Sequence, residues 1–388
     1  MDNKKIGILH FSDTHISLES AEVVKSIIRN LIEDITKLLI ENDANLDLVC
    51  FTGDLVNKGR NEEFELALEN IFEPLINSFN IEESNIFLVP GNHDIDTSVI
   101  DEINEAGLKS VLINSEKLNN IINNIDKQEL YRINNFNDFN KLFSGNLIFE
   151  NKLYSCFKTD IGNCSAGIAC INSAWRSNGK GFIERGRIII GKKQIEHCFN
   201  LVEECDIKIC LVHHPIEWIA DFEVIEIERS LSKYDIVLNG HVHINNTNQK
   251  ITYNNGNTLY NTSGRLYPSK DFYNGYSLIV LNPMNYECNV LLRQYYDGRN
   301  KFDKALNLCE NGQFNAKLKK RNNIRAKEYE LLCNIKRGFV RYINSFLVPN
   351  VLNENTESEF DNIFVAPLLN VFSEYDREST NFEIMMVL

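Results

Sequence analysis

Five short polar clusters in this chain each follow an apolar run. They are Asp13-Thr14-His15, Gly53-Asp54, Gly91-Asn92-His93-Asp94, His213-His214-Pro215 and Gly240-His241-Val242-His243. Imidazole, carboxylate and amide donors in one set suit divalent transition metals such as Mn, Fe, Zn or Ni. Seven of these groups, Asp13, His15, Asp54, Asn92, His213, His241 and His243, exceed what one tetrahedral ion takes. They match two ions that share a carboxylate. Two cations about 3.5–4 Å apart clamp a phosphorus centre for in-line displacement, and a water between them loses its proton near neutral pH. His93 can give or take a proton in the same range.

Such donors act together only if the chain brings them to one place. A buried strand does this, because it holds the turn at its end rigidly. Residues 6–11, 46–51 and 85–89 are apolar runs of strand length. Between them, residues 21–40 place Val24, Ile27, Ile28, Leu31, Ile35, Leu38 and Leu39 at helical spacing. Residues 62–79 read as a second amphipathic helix, bent at Pro74. Strand, helix, strand, helix, strand predicts βαβ units in a mostly parallel sheet, with ligands outside the strands' carboxyl ends.

Residues 97–145 read as a polar helical insertion over or beside the site, carrying an aromatic cluster at Tyr131, Phe136, Phe139 and Phe143. Further strands are expected at 152–158, 167–172, 207–212 and 235–238, with helices at 192–204 and 230–234. Residues 258–260, 276–281 and 288–295 read as antiparallel strands finishing a second sheet. This makes 1–300 one α/β domain. Residues 301–388 form a helical C-terminal region, helical over 302–347 and with a polar linker near 350–361.

Composition narrows the class. A net charge of −14 argues against a chain built mainly to coat nucleic acid or an anionic membrane. The ten cysteines form no C-x-x-C pair, and several lie inside apolar strands as reduced thiols do. Residues 1–5 are polar and lead straight into a strand, and no apolar run reaches the roughly 18 residues that span a bilayer. A cytoplasmic protein without membrane contact is expected. Residues 317–341 carry nine basic residues against Glu328 and Glu330, a surface for nucleic acid or simply a solvated helix face.

In this order, D-x-H, G-D, G-N-H-D, H-x-P and G-H-x-H resemble the calcineurin-like metallophosphoesterase superfamily, from about residue 6 to 281. The resemblance implies a two-sheet αββα sandwich flanked by helices. It implies Asp13, His15 and His243 on one metal, Asn92, His213 and His241 on the other, and Asp54 bridging. His93 would contact the phosphate and protonate or stabilise the leaving oxygen, with Asp94 orienting it by a hydrogen bond. Purple acid phosphatases of this superfamily place a Tyr three residues after the Gly-Asp aspartate, where this chain has Asn57. The stretch from Gly53 to Gly59 is closer to bacterial cyclic-nucleotide phosphodiesterases, though repair nucleases share the same ligands.

The expectation is a dinuclear metal-dependent phosphoesterase, a phosphodiesterase acting on nucleotide or nucleic-acid phosphate through a metal-bridging hydroxide. A DNA or RNA nuclease in a bacterial defence or signalling system and a non-catalytic interaction module remain alternatives. His214 and Arg176 are candidate substrate contacts, Arg176 beside Trp175 in a substrate wall. His10, inside the first strand, reads as a core histidine or one backing the ligands. An apolar stripe in the C-terminal helices would serve a partner or self-association. Residues 360–369 resemble a connector found ahead of NTP-binding modules, but no G-x-x-x-x-G-K-[ST] is present.

Overall fold

The computed structural model describes residues 4–318 apart from 102, 104, 106, 108–111, 113, 126–129, 163, 180, 243–245, 253–255 and 267–273. His243, the basic stretch beyond residue 318 and the rest of the expected C-terminal helices lie outside the described residues.

The first apolar run forms β1 (Lys5–Phe11), and α1 (Ala21–Asn42) leads to β2 (Ala44–Phe51). Next come α2 (Asn61–Ala67), one π turn (Leu68–Phe72), α3 (Glu73–Phe79) and β3 (Ile86–Leu88). The bend expected at Pro74 is taken up by the π turn just before it. A widened turn frees the carbonyl that a proline in the next turn would otherwise crowd.

After an insertion come β4 (Leu147–Glu150), β5 (Tyr154–Ile161) and β6 (Cys164–Ile171). Within that insertion, α4 (Ser115–Ile122) and α5 (Asn134–Asn140) are helical. Then follow α6 (Lys192–Val202), β7 (Ile207–Val212), α7 (Val224–Leu231) and β8 (Ile236–Asn239). The last strands are β9 (Asn246–Thr252), β10 (Gly256–Thr262), β11 (Gly275–Leu281), β12 (Glu287–Tyr296), β13 (Lys301–Lys304) and β14 (Gln313–Lys317).

Among the described residues the strands form two sheets. Sheet one runs β13-β12-β11-β1-β2-β3, with β14 also on β12, and sheet two runs β4-β5-β6-β7-β8-β10-β9. In sheet one β1, β2 and β3 are parallel, and in sheet two β6, β7, β8 and β10 are parallel. The inner faces share a core: Ile6, Ile8, Leu48 and Phe87 meet Ile168, Ile209, Leu211 and Leu238. Helices α1 to α3 cover the outer face of sheet one, and α6 and α7 that of sheet two. Helices, two sheets and helices again make the expected αββα sandwich.

Two expectations need correction. Residues 302–318 hold β13, one 3-10 turn (Glu310–Gly312) and β14 rather than an α-helix: Phe302 pairs with Tyr295 across β13 and β12 and packs on Tyr276, so sheet one continues past residue 300. The strands of sheet one accordingly run to Lys317. The insertion, too, is more than a cover. Phe136, Phe139 and Phe143 sit in the main core against Phe64 and Phe72, whereas Tyr131 is exposed. Only its earlier part, with Leu118 and Ile122, forms a separate small core beside Ile95 and Trp175.

Candidate metal centre

Parallel neighbours in both sheets end at the same edge of the sandwich, so their following loops meet there. Asp13 and His15 follow β1, Asp54 follows β2, Asn92 and His93 follow β3, His213 and His214 follow β7, and His241 follows β8. The donors form three overlapping groups: His213 with His214 and His241; His15 with Asp54 and His93; and Asp13 with Asp54 and His213. Within each group the ligand atoms lie within 4.8 Å of one another. His243 lies outside the described residues; every other predicted ligand is in or against this cluster.

The backbone is bent to achieve this. Asp13 (φ 56°), His15 (43°), Asp54 (55°) and His241 (70°) all adopt the left-handed region, which non-glycine residues visit at a cost of about 1–2 kcal/mol. Strained conformations held by the surrounding fold concentrate where side chains must be aimed. Two glycines make the close approach feasible. A Cβ at Gly91 would collide with Asp54 Oδ1, and one at Gly53 (φ 89°) would lie 2.5 Å from His213 Nδ1.

Hydrogen bonds then set which atoms face the centre. His213 Nδ1–H donates to the Thr52 carbonyl (2.6 Å), so in the neutral ring Nε2 carries a lone pair. That Nε2 lies 3.3 Å from Asn92 Oδ1, 3.1 Å from His241 Nδ1 and 3.5 Å from Asp54 Oδ2. On the other side of Asp54, His15 Nε2 is 3.8 Å from Asp54 Oδ2 and 3.8 Å from Asp13 Oδ1. Asp54 Oδ1 accepts the His93 N–H (2.7 Å), and Asp13 Oδ2 accepts the His241 N–H (3.1 Å).

These residues fit divalent cations. Two donors each about 2.1 Å from one ion, at about 90–110°, lie about 3.0–3.4 Å apart, which is the spacing around His213 Nε2. With no cation a proton fills that role. Burial opposes charge on His213, but the adjoining Asp54 carboxylate prevails and pushes its pKa up to about 9. Burial also works against the Asp54 carboxylate, yet His213 holds it well below the usual range.

Three expectations change. Asp94 does not orient His93: its carboxylate accepts the N–H groups of Val56 (2.9 Å) and Gly91 (2.8 Å), tying the loop after β2 to the turn after β3. His93 is held instead by Nδ1–H donating to the Asn57 carbonyl (3.1 Å). Arg176 is not free for a phosphate, because its guanidinium is buried against Glu105 (2.6 Å), which Arg132 also binds. Trp175 is a core residue whose Nε1–H donates to the Ile189 carbonyl. His214 does join the cluster, with Nδ1 2.8 Å from Ser173 Oγ.

Sequence reasoning missed Trp218, whose ring lies edge-on to His241 at 3.9 Å. Its position three residues after Pro215 was the available signal. His10 proves to back the ligands. Its Nδ1 lies 2.5 Å from Asn261 Oδ1 on β10 and its Nε2 2.9 Å from Thr52 Oγ1, so it links the two sheets behind His213. Burial pushes its pKa down to about 4, which keeps the ring neutral.

Residues 6–245 match the family model described as calcineurin-like phosphoesterase. An uncharacterized metallophosphoesterase-like protein, YydB of Bacillus subtilis, is 25% identical over 276 residues, covering 68% of this chain and 54% of its own. The chain thus spans about half the length of that relative. Solved structures similar to this chain include GAP50, the anchor in the inner membrane complex of Plasmodium, with 11% identity, 82% and 90% of the two chains covered and a TM-score of 0.42. Zinc-complexed Vps29 of Entamoeba histolytica shares 12% identity, with 80% and 98% covered and a TM-score of 0.32.

Proposed function

The chain belongs to the calcineurin-like phosphoesterase family, and on that premise we propose that it is a dinuclear metal-dependent phosphodiesterase acting on a nucleotide or nucleic-acid phosphate. The observation that carries this reading is the place of Asp54 Oδ2, 3.8 Å from His15 Nε2 and 3.5 Å from His213 Nε2, between two donor groups. Asp13 and His15 would hold one cation, Asn92, His213 and His241 the other, and Asp54 both; His243 is proposed to complete the first set.

Divalent cations bound there supply Lewis acidity to the phosphoryl oxygens and a nucleophile drawn from water at neutral pH. The chain's own groups do the rest. With Nδ1 committed to Asn57, His93 presents Nε2 as the position that exchanges a proton with a leaving oxygen. Asp54 fixes His93 through its backbone N–H, so the proton donor and the shared carboxylate keep one register. The nine described cysteines are free thiols and eight are buried, which supports a reducing compartment such as the cytoplasm. Among the described residues no helix is long and apolar enough to cross a membrane.

The test is hydrolysis of a cyclic nucleotide, an aryl phosphodiester and single-stranded DNA with Mn, with and without chelator, by the wild type and Asp54→Asn. Chelator-sensitive turnover lost in Asp54→Asn supports the reading. Cleavage of DNA alone would make the protein a nuclease, and metal binding without turnover would make it an interaction module. Wild-type rates in Asp54→Asn would refute the shared carboxylate.

A further inference from the structure

Beyond the donor cluster, the outer face of sheet two and helix α7 line a half-open cavity of about 220 Å³. Side-chain alternation builds its floor. Leu211, Leu238 and Leu259 point into the core between the sheets, so their neighbours Val212, Asn239 and Tyr260 point outward into the cavity. Ile227 and Leu231 of α7 close it from above.

Three buried polar atoms on this wall have no hydrogen-bond partner among the described residues: Asn239 Oδ1, Tyr260 Oη and His214 Nε2. Asn239 is 6% exposed and His214 1%. Leaving such groups unsatisfied costs about 1–3 kcal/mol each, so three on one wall point to an occupant that satisfies them. The cavity far exceeds the roughly 10–15 Å³ that one water needs, and it is smaller than the roughly 300 Å³ at which pockets for whole drug-sized ligands begin. One ring system fits.

The charge on the wall excludes a second phosphate. Lys250 is the cation lining the cavity among the described residues, and it is already paired with Glu228, while Glu217 adds an acid. The occupant is neutral, with apolar faces against Val212 and Ile227 and a polar edge toward Asn239 and Tyr260. An asparagine amide, with a donor and an acceptor side by side, complements the edge of a heteroaromatic base. His214 lines the cavity and also belongs to the group with His213 and His241, so the cavity adjoins the candidate metal centre through a shared imidazole.

We propose that this cavity receives the neutral heteroaromatic ring of the phosphoester's organic group, a nucleobase, with Asn239 and Tyr260 reading its edge. The placement beside a phosphate rests on the phosphoesterase reading above; the binding of the ring does not.

The experiment therefore uses phosphate-free probes. Adenosine, uridine and ribose are titrated by ligand-observed NMR into the Mn-loaded full chain, wild type, Tyr260→Phe and Asn239→Leu. Tyr260→Phe removes only a hydroxyl, so it remains informative if Asn239→Leu fails to fold. Saturable binding of at least one nucleoside, tighter than ribose and weakened about tenfold in Tyr260→Phe, is expected. Absence of saturable nucleoside binding, equal binding of ribose, or unchanged binding in Tyr260→Phe would overturn the proposal, with water or an unrelated effector then left as the occupant. Failure of the phosphoesterase reading would show separately, as an absence of chelator-sensitive hydrolysis.

Discussion

Gly91 stands so close to Asp54 that there is no room for a single methyl group between its backbone and the carboxylate. The turn after β3 thereby becomes a mould for the side chain that both donor groups share. Gly91→Ala keeps every proposed ligand yet must displace Asp54 or open the turn. We expect divalent-cation affinity to fall at least tenfold by calorimetry. Wild-type affinity in this variant would show that the close approach is incidental.

His93 and Asp94 are adjacent but do different things, and their variants should separate. His93→Ala removes a group that touches none of the loop backbone except the Asn57 carbonyl, so cation binding should persist while kcat falls about 10²–10⁴-fold. Asp94→Ala releases the N–H groups of Val56 and Gly91 together. It should lower both cation affinity and thermal stability. Equal effects of the two variants on cation affinity would contradict this division.

Asp34 on α1 receives two guanidinium hydrogen bonds from Arg293 on β12 (2.7 Å each) and one from the Tyr276 hydroxyl (2.6 Å). All three side chains are buried, so Asp34→Ala removes a bidentate carboxylate from a buried guanidinium and the acceptor of a buried hydroxyl. The expected loss is about 3–5 kcal/mol in urea unfolding, with cation affinity of the folded protein unchanged. A loss below about 1 kcal/mol would mean that the helix is anchored by apolar contacts alone.

Asp47, before the inward-facing end of β2, accepts the Gly7 N–H (3.0 Å), but burial pushes its carboxyl up to about 6 from an ordinary 3.8. The folded protein thus holds this proton more tightly than the unfolded chain does. Its contribution is fully present below about pH 4 and is lost as pH rises through about 6. Asp47→Asn retains an acceptor and removes the charge. It should match the wild type near pH 4 and exceed it at pH 7–8, by on the order of 1 kcal/mol given the partial exposure. Parallel melting curves across that range would contradict the assignment.

Much of this was written in local sequence. Residues 207–212 and 48–51 are buried on both faces, so their strands read as plain apolar runs, and the donors at their ends followed. The polar strands β9 and β13 did not, because at an edge a strand needs little apolar surface and its pairing comes from a distant partner. The mistaken helix from residue 302 has the same cause. Within the site, which donors gather at the strand ends was legible, whereas the hydrogen bonds of Asp94 and the ion pair of Arg176 depend on backbone and side-chain partners that spacing alone does not reveal. The left-handed φ values of Asp13, His15, Asp54 and His241 could not be read from residue type alone either, since Asp and His are enriched in that region but adopt the ordinary ones far more often.

His10 rivets one sheet to the other behind the cluster, and that has a consequence for how the protein tolerates change. Asp13, His15, Asp54 and Asn92 ride on one slab and His213 and His241 on the opposing slab, so the gap between the halves of the cluster is the thickness of the apolar filling. Ile8 and Leu238, both in the core between the sheets, are spacers in that filling. Trimming or enlarging either one should detune the grip on cations as surely as altering an imidazole.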